Sequence, residues 1–240
     1  MLTIYPERPK RSKVAGNSRW LSTAGYRFII AGFIGLVLVV LPWHFDWNHH
    51  YSSGKFGILP VQEETLCDGA IRGNDAFSKV MVRLRNYRNA IKNKRYLTII
   101  DYSKPSSVKR MYLIDMKTGK VERFLVSHGK NSGWAYATAF SNRPESYKSS
   151  RGFFITGRKY SGKHGTALQL HGLEKGVNDN ALRRGIVMHG SNYVSMRSVM
   201  LNKGRLGRSL GCPAIPAETA ESVINRIKDG SLIYIHAGNG

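Results

Sequence analysis

From residue 96 onward, the chain is a series of short apolar segments separated by turns that contain glycine. Segments of this length, rich in β-branched and aromatic residues, are typical of strands. A chain with many short strands and few helices folds into a sandwich or a barrel. We therefore expect residues 96–240 to form a mainly β domain, a sandwich or barrel-like sheet with added helices. The predicted strands cover residues 97–102, 110–115, 120–126, 152–157, 167–171, 185–189 and 231–236.

Two helices are predicted beside these strands. Over residues 74–94, apolar side chains recur at helical spacing with basic residues on the other face, which predicts a helix within a segment 74–95 that packs on the β domain. The second helix begins after Pro216, has Glu218 and Glu221 in its first turns, and ends at Gly230. The sequence thus predicts a β domain with one helix before it and one near its end.

The N-terminal part indicates the compartment. Residues 1–27 are basic, and an uncharged apolar run over residues 28–41 follows them. Basic residues before an apolar segment direct export and keep the basic end in the cytoplasm. Because no small-residue cleavage site follows, we expect residues 28–45 to be a single-pass signal anchor in the inner membrane; a cleaved signal peptide is the alternative. Residues 46–73 are then a linker, and the β domain lies in the periplasm or extracytoplasmic space.

The charge of the chain is strongly positive. It has 37 basic and 15 acidic residues, a formal net charge of +22. Such a charge favours an anionic partner, either a cell-wall polymer or a membrane surface. The expected placement outside the cytoplasm, and the lack of zinc-finger and RNA-binding signatures, argue against nucleic acid. Two cysteines, Cys67 and Cys212, make neither a disulfide framework nor a metal cluster, so we expect no metal and no cofactor.

Residues suited to acyl-transfer chemistry lie in the last quarter of the chain. Cys212 stands between a glycine and a proline, and His189 ends an apolar strand about twenty residues earlier. A cysteine transfers acyl groups only as a thiolate, and an imidazole is the usual group that produces one. The alternative is a buried, inert thiol and a histidine that merely ends a strand.

The residues around Cys212 suit a catalytic turn. Gly211 allows a sharp turn, and because Pro213 has no N–H, the amides of Gly211 and Cys212 are candidate oxyanion donors. The hydroxyl of Ser209 could orient a substrate or the imidazole. Arg208, with Arg205, would place a thiolate in a positive field.

An ordered series of motifs makes the chain resemble the L,D-transpeptidase catalytic domains of the YkuD-like superfamily, in the branch whose signature ends in SxGCPA. The resemblance covers roughly residues 75–240. The motifs are residues 96–101, 128–133, 140–142, 152–157, 162–165, 172–176, 178–180, 188–190 and 204–214.

The resemblance implies roles for these residues. Cys212 is the expected nucleophile and His189 its base, while Gly211 and Ser209 shape the active-site turn. The wider superfamily commonly has a histidine before the Gly-Cys pair and an arginine or asparagine two residues after the cysteine; Leu210 and Ala214 stand at these positions. Arg208 is therefore the candidate contact for a substrate carboxylate; a solvated surface charge is the alternative. The other candidate substrate contacts are Gly190 and Ser191.

The implied activity is a cysteine-dependent transfer on peptidoglycan stem peptides that forms 3→3 cross-links. Resolution of the acyl-enzyme by water, which makes an L,D-carboxypeptidase, or by another amine stays open. An inactive, membrane-anchored protein that binds the cell wall is the alternative from a different class. Two other histidines that precede glycines, His128 and His164, either line the cleft or bond to the backbone of a turn.

Overall fold

One sheet of eight strands organises the described part of the chain. The computed structural model describes residues 73–162 and 165–238. The strands lie in the order β3-β2-β1-β8-β4-β5-β6-β7; β1 with β8 and β6 with β7 are parallel, and the other pairs are antiparallel. The strands are β1 (Tyr96–Asp101), β2 (Met111–Asp115), β3 (Val121–Phe124), β4 (Gly152–Gly162), β5 (Gly165–Gly172), β6 (Val187–Ser191), β7 (Ala214–Pro216) and β8 (Leu232–His236).

Three helices accompany the sheet: α1 (Asp75–Tyr87), α2 (Met196–Leu201) and α3 (Ala217–Ile227). Asn74 caps the N-terminus of helix α1, where its side chain accepts a hydrogen bond from the Ala76 amide at 2.9 Å. Such a cap satisfies an amide that has no partner within the helix. Helix α1 buries Ala76 and Val80 against one apolar cluster of the sheet. Helix α3 buries one side in the other, larger cluster, so the two helices cover different apolar faces.

The two edges of the sheet meet. After β3, the chain continues to the far edge, where the Ser127 amide donates to the carbonyl of Ala214 in β7 at 2.9 Å. Further along, the Ser209 amide donates to His128 O at 3.0 Å, and the Lys130 amide donates to Ser209 O at 2.7 Å. These bonds nearly close the sheet into a barrel. The prediction of a mainly β, barrel-like domain with added helices is thereby confirmed.

Some elements differ from the predicted ones. Strand β4 continues to Gly162, with a register shift between Thr156 and Lys159. Helix α2 and the short strand β7 were not predicted, because each has too few residues to show a period in the sequence. The predicted anchor at 28–45 and linker at 46–73 lie outside the described residues. Within 73–162 and 165–238, no helix has the length and apolarity needed to cross a membrane.

One buried hydroxyl joins β4 to the turn before β8. The Oγ1 atom of Thr156 donates to Ile227 O at 2.6 Å and accepts from the amides of Gly230, at 3.1 Å, and Ser231, at 2.8 Å. Thr98 in β1 is also buried, but its hydroxyl has no hydrogen-bond partner among the described residues. The two threonines therefore form a natural comparison.

We predict that Thr156→Val lowers the free energy of unfolding by about 2 kcal/mol, because the Ser231 amide and the Ile227 carbonyl lose a buried partner. Thr98→Val replaces a buried hydroxyl that satisfies nothing, so it should be neutral or stabilising. Urea denaturation of both variants measures the difference. Equal destabilisation by the two substitutions would contradict the role of the Thr156 hydroxyl in joining β4 to the turn before β8.

Candidate active site

A tight turn holds Cys212 immediately before β7. The hydroxyl of Ser209 accepts from the Gly211 amide at 3.1 Å and donates to Cys212 O at 2.6 Å, so it holds the turn from within. Gly211 has φ of 125°, and a Cβ there would lie 2.9 Å from Lys148 O and 3.0 Å from Ile186 Cδ1. Both the dihedral angle and the close approach require glycine.

Strand β6 places His189 beside this turn. The parallel register of β6 and β7 pairs His189 with Ala214, two residues beyond Cys212. The imidazole is 7% exposed, and its Nδ1 atom lies 2.9 Å from Gly190 O. Because a carbonyl only accepts, Nδ1 must carry a proton in this contact. In the neutral form of this ring, Nε2 is therefore the basic atom, as a general base requires.

Two groups of one segment contact the thiol. The Val187 amide donates to Cys212 Sγ at 3.5 Å, and Sγ donates to Gly185 O at 3.6 Å. Burial raises the pKa of the Cys212 thiol, while the Val187 amide and the guanidinium of Arg184 act in the opposite direction. An amide that donates to the sulfur and a nearby positive charge both favour the thiolate.

Arg184 is a site residue that the sequence analysis missed. It lies five residues before His189, at the end of the turn that leads into β6, and its side chain reaches the loop of residues 141–150. The only signal in the sequence was an arginine next to a glycine just before the strand. Nothing local distinguishes it from the exposed Arg183 beside it.

Arg205 and Arg208 were expected to surround the thiol with positive charge, but they contact a neighbouring loop instead. Both guanidinium groups lie over Trp134, 4.6 Å and 4.1 Å from the ring centroid. The Nη1 atom of Arg208 also donates to Lys130 O at 2.8 Å and to Gly133 O at 3.1 Å. Both guanidinium groups therefore contact the loop around Trp134, and neither is among the groups that shift the pKa of the thiol.

Only one of the two expected oxyanion donors remains a candidate. The Gly211 amide is already bonded to Ser209 Oγ, so it does not point into open space. The Ser209 hydroxyl has both partners inside the turn, and it therefore does not orient a substrate or the imidazole. Of the two amides, that of Cys212 is the remaining candidate for an oxyanion.

The candidate substrate contacts Gly190 and Ser191 line a cavity of about 580 Å³ next to His189. Gly190 packs directly on α3, since a Cβ there would lie 2.8 Å from the Cβ of Ala220. The cavity lies between the end of β6 and α3. Its other lining residues are Gly165, Thr166, Asn192, Tyr193, Ala217 and Glu221.

The structure resolves the alternatives for His128. Its side chain is buried, with Nδ1 2.8 Å from Nη2 of Arg110 and Nε2 3.4 Å from Gly133 O. A guanidinium only donates, so the Nδ1 atom accepts and the ring is neutral. His128 therefore belongs to the frame of the domain and not to an open cleft. His164 lies outside the described residues.

A histidine strand and a cysteine turn on adjacent parallel strands suit thiol-dependent acyl transfer. Residues 71–236, most of the chain, match the family of L,D-transpeptidase catalytic domains. The chain belongs to this family. No match was found among the curated proteins.

Several solved structures are similar at low sequence identity. An L,D-transpeptidase from Mycobacterium smegmatis is 16% identical over 60% of this chain and 59% of its own, with a TM-score of 0.37. A helical cell shape determining protein from Campylobacter jejuni is 15% identical over 60% and 48%, with a TM-score of 0.38. L,D-transpeptidase 1 from Mycobacterium tuberculosis is 13% identical over 59% and 61%, with a TM-score of 0.34. The chain spans less than two thirds of the length of each.

We predict that Gly211→Ala slows reaction of the Cys212 thiol by at least tenfold, because the added Cβ would clash with Lys148 O and displace the turn. Gly204→Ala is the matched control: Gly204 also has a positive φ, of 79°, but open space where a Cβ would lie. The control should retain the parent's reactivity. Labelling of Cys212 with iodoacetamide, followed by mass spectrometry, measures both, and an unchanged rate in Gly211→Ala would show that the turn tolerates displacement.

Proposed function

We propose that the chain is a peptidoglycan L,D-transpeptidase that uses Cys212 as nucleophile and His189 as general base and forms 3→3 cross-links. The observation that carries the proposal is the His189 ring, whose Nδ1–H is bonded to Gly190 O, on the strand that pairs with the one following the Cys212 turn. Family membership supports a stem peptide as the substrate class.

The first half-reaction makes a thioester. Nε2 of His189 takes the thiol proton, and the Cys212 sulfur attacks the carbonyl carbon of the third, diamino-acid residue of a stem tetrapeptide. The Cys212 amide is positioned to donate to the oxyanion that develops on the carbonyl oxygen. When the tetrahedral intermediate collapses, its C–N bond breaks and the terminal D-alanine leaves with the proton from His189.

The second half-reaction resolves the thioester. An amine of a neighbouring stem peptide loses a proton to His189 and attacks the same carbonyl, and the C–S bond breaks as the new amide forms. Water in place of the amine would make an L,D-carboxypeptidase, and a different amine would attach another molecule to the wall.

We place the domain outside the cytoplasm, at the cell wall, held by the proposed single-pass anchor at 28–45. The basis is the basic segment before an apolar run. The net charge of +22 supports attraction to an anionic wall polymer or membrane surface. The glycine-dependent cysteine turn beside an oriented histidine argues against an inactive wall-binding protein, which would need neither.

We predict that Cys212→Ala abolishes both the cross-linked product and the covalent adduct that a carbapenem forms with the parent chain, because no other side chain replaces the thiolate. Cys67→Ala is the matched control and should retain both. Muropeptide mass analysis after incubation with tetrapeptide, and the intact mass of each variant, are the measurements. A shortened tripeptide without cross-links would assign a carboxypeptidase, and an adduct that survives in Cys212→Ala would place the nucleophile elsewhere.

Arg208 remains the proposed contact for the substrate carboxylate, since only its Nη1 atom is committed to the two loop carbonyls. We predict that Arg208→Ala lowers turnover severalfold at every salt concentration, because a directed contact resists screening. Sedimentation with wall sacculi should change little and should weaken with salt in parent and variant alike. Arg205→Ala, which removes the other arginine over Trp134, is the control. Loss of sedimentation without loss of turnover would reduce Arg208 to a surface charge.

A further inference from the structure

The guanidinium of Arg184 is fixed by a single loop. Half-buried at the end of the turn before β6, it donates to four oxygen atoms of residues 141–150. None of the four is a carboxylate, and no salt bridge within residues 73–162 and 165–238 includes Arg184. Its charge is therefore held in place without being neutralised. The acceptors are Ser141 O, Ser146 Oγ at 3.0 Å, Lys148 O at 2.6 Å and Ser150 Oγ at 2.6 Å.

This fixed charge lies against the turn of the nucleophile. The Nη2 atom of Arg184 is 3.6 Å from the position of a Cβ built on Gly211, the residue before Cys212. The Lys148 carbonyl to which Nη2 donates is 2.9 Å from the same position. Arg184 thus bonds to the very backbone on which the glycine turn rests, and it brings a positive charge to the side of the thiol.

One short segment supplies three groups to the sulfur. Arg184 brings the cation, the next residue, Gly185, gives the carbonyl that accepts from the thiol, and Val187 gives the amide that donates to it. The thiol form suits the carbonyl, and the thiolate form suits the amide and the cation. The segment therefore has a partner for the thiol and partners for the thiolate, and the charge of Arg184 favours the thiolate.

We propose that Arg184 is a positioning residue for the Cys212 thiolate, acting through its fixed positive charge and through the loop that it braces. The assignment rests on Cys212 as the nucleophile of the proposed function. Among the described residues, the phenols of Tyr102 and Tyr193 also couple to Cys212, and they are neutral when protonated. His189 on β6 is positive only after it takes a proton. Arg184 is thus the permanent cation among them.

The test is the pH dependence of iodoacetamide labelling of Cys212, measured in the full chain with Cys67→Ala so that one thiol remains. Arg184→Met should raise the apparent pKa of Cys212 by about one unit, which corresponds to about tenfold slower labelling at pH 7. Arg184→Lys keeps the charge but not the forked hydrogen bonds, so it should retain most of the parent's profile. Arg183→Met removes the same charge from the exposed neighbouring residue and should leave the profile unchanged.

Each outcome decides the assignment. A profile of Arg184→Met that overlays that of the parent would overturn it, as would an equal shift in Arg184→Lys, because the charge would then not be the agent. If Arg184→Met does not fold, Arg184→Gln takes its place with the same shift expected, and an unshifted profile of that variant would overturn the assignment. Labelling does not require turnover, so a chain that labels as expected yet makes no cross-link contradicts the proposed function and leaves the role of Arg184 intact.

Discussion

The buried guanidinium of Arg110 holds the seam at which the sheet closes. Its Nε and Nη2 atoms donate to Val126 O at 3.1 Å and 3.0 Å, its Nη1 atom donates to Lys104 O at 2.7 Å, and Nη2 also donates to His128 Nδ1. A charge so deeply buried is tolerated only when its donors are satisfied. The aromatic face of Tyr102, 4.7 Å from the guanidinium carbon, completes the enclosure. Arg110 thereby fixes the segment that joins the two edges.

The proposed site depends on this seam. The segment that Arg110 fixes bonds through Ser127 to β7 and through His128 and Lys130 to Ser209, which begins the cysteine turn. The opposite side of the turn is set by the segment before β6, which Arg184 ties to a separate loop. The thiol therefore lies where parts of the chain distant in sequence meet. This explains why a glycine with no room for a Cβ stands directly before it.

The sequence was sufficient for what local patterns encode. Short apolar strands and glycine turns predicted the mainly β domain, and a cysteine turn after a histidine strand predicted the pair of residues that the proposed site uses. It was insufficient where contacts between distant parts of the chain determine the direction of a side chain. Arg184 and Arg208 are both arginines near the site in sequence, yet only the fold directs the first to the thiol and the second to Trp134. The hydroxyl of Ser209 likewise faces the turn, where the Gly211 amide and the Cys212 carbonyl are its partners.

The contact between Arg110 and His128 makes the stability of the seam depend on pH. Burial, and then repulsion by Arg110, lowers the pKa of His128 to about 4, whereas the same ring in the unfolded chain titrates near 6.5. The unfolded chain therefore binds the extra proton first as the medium becomes acidic. The contribution of the neutral His128 ring to the free energy of unfolding is therefore fully present above pH 6.5. It is lost as the pH falls to 4, by about 3 kcal/mol in all. Acid therefore weakens the domain at the place where its two sheet edges join.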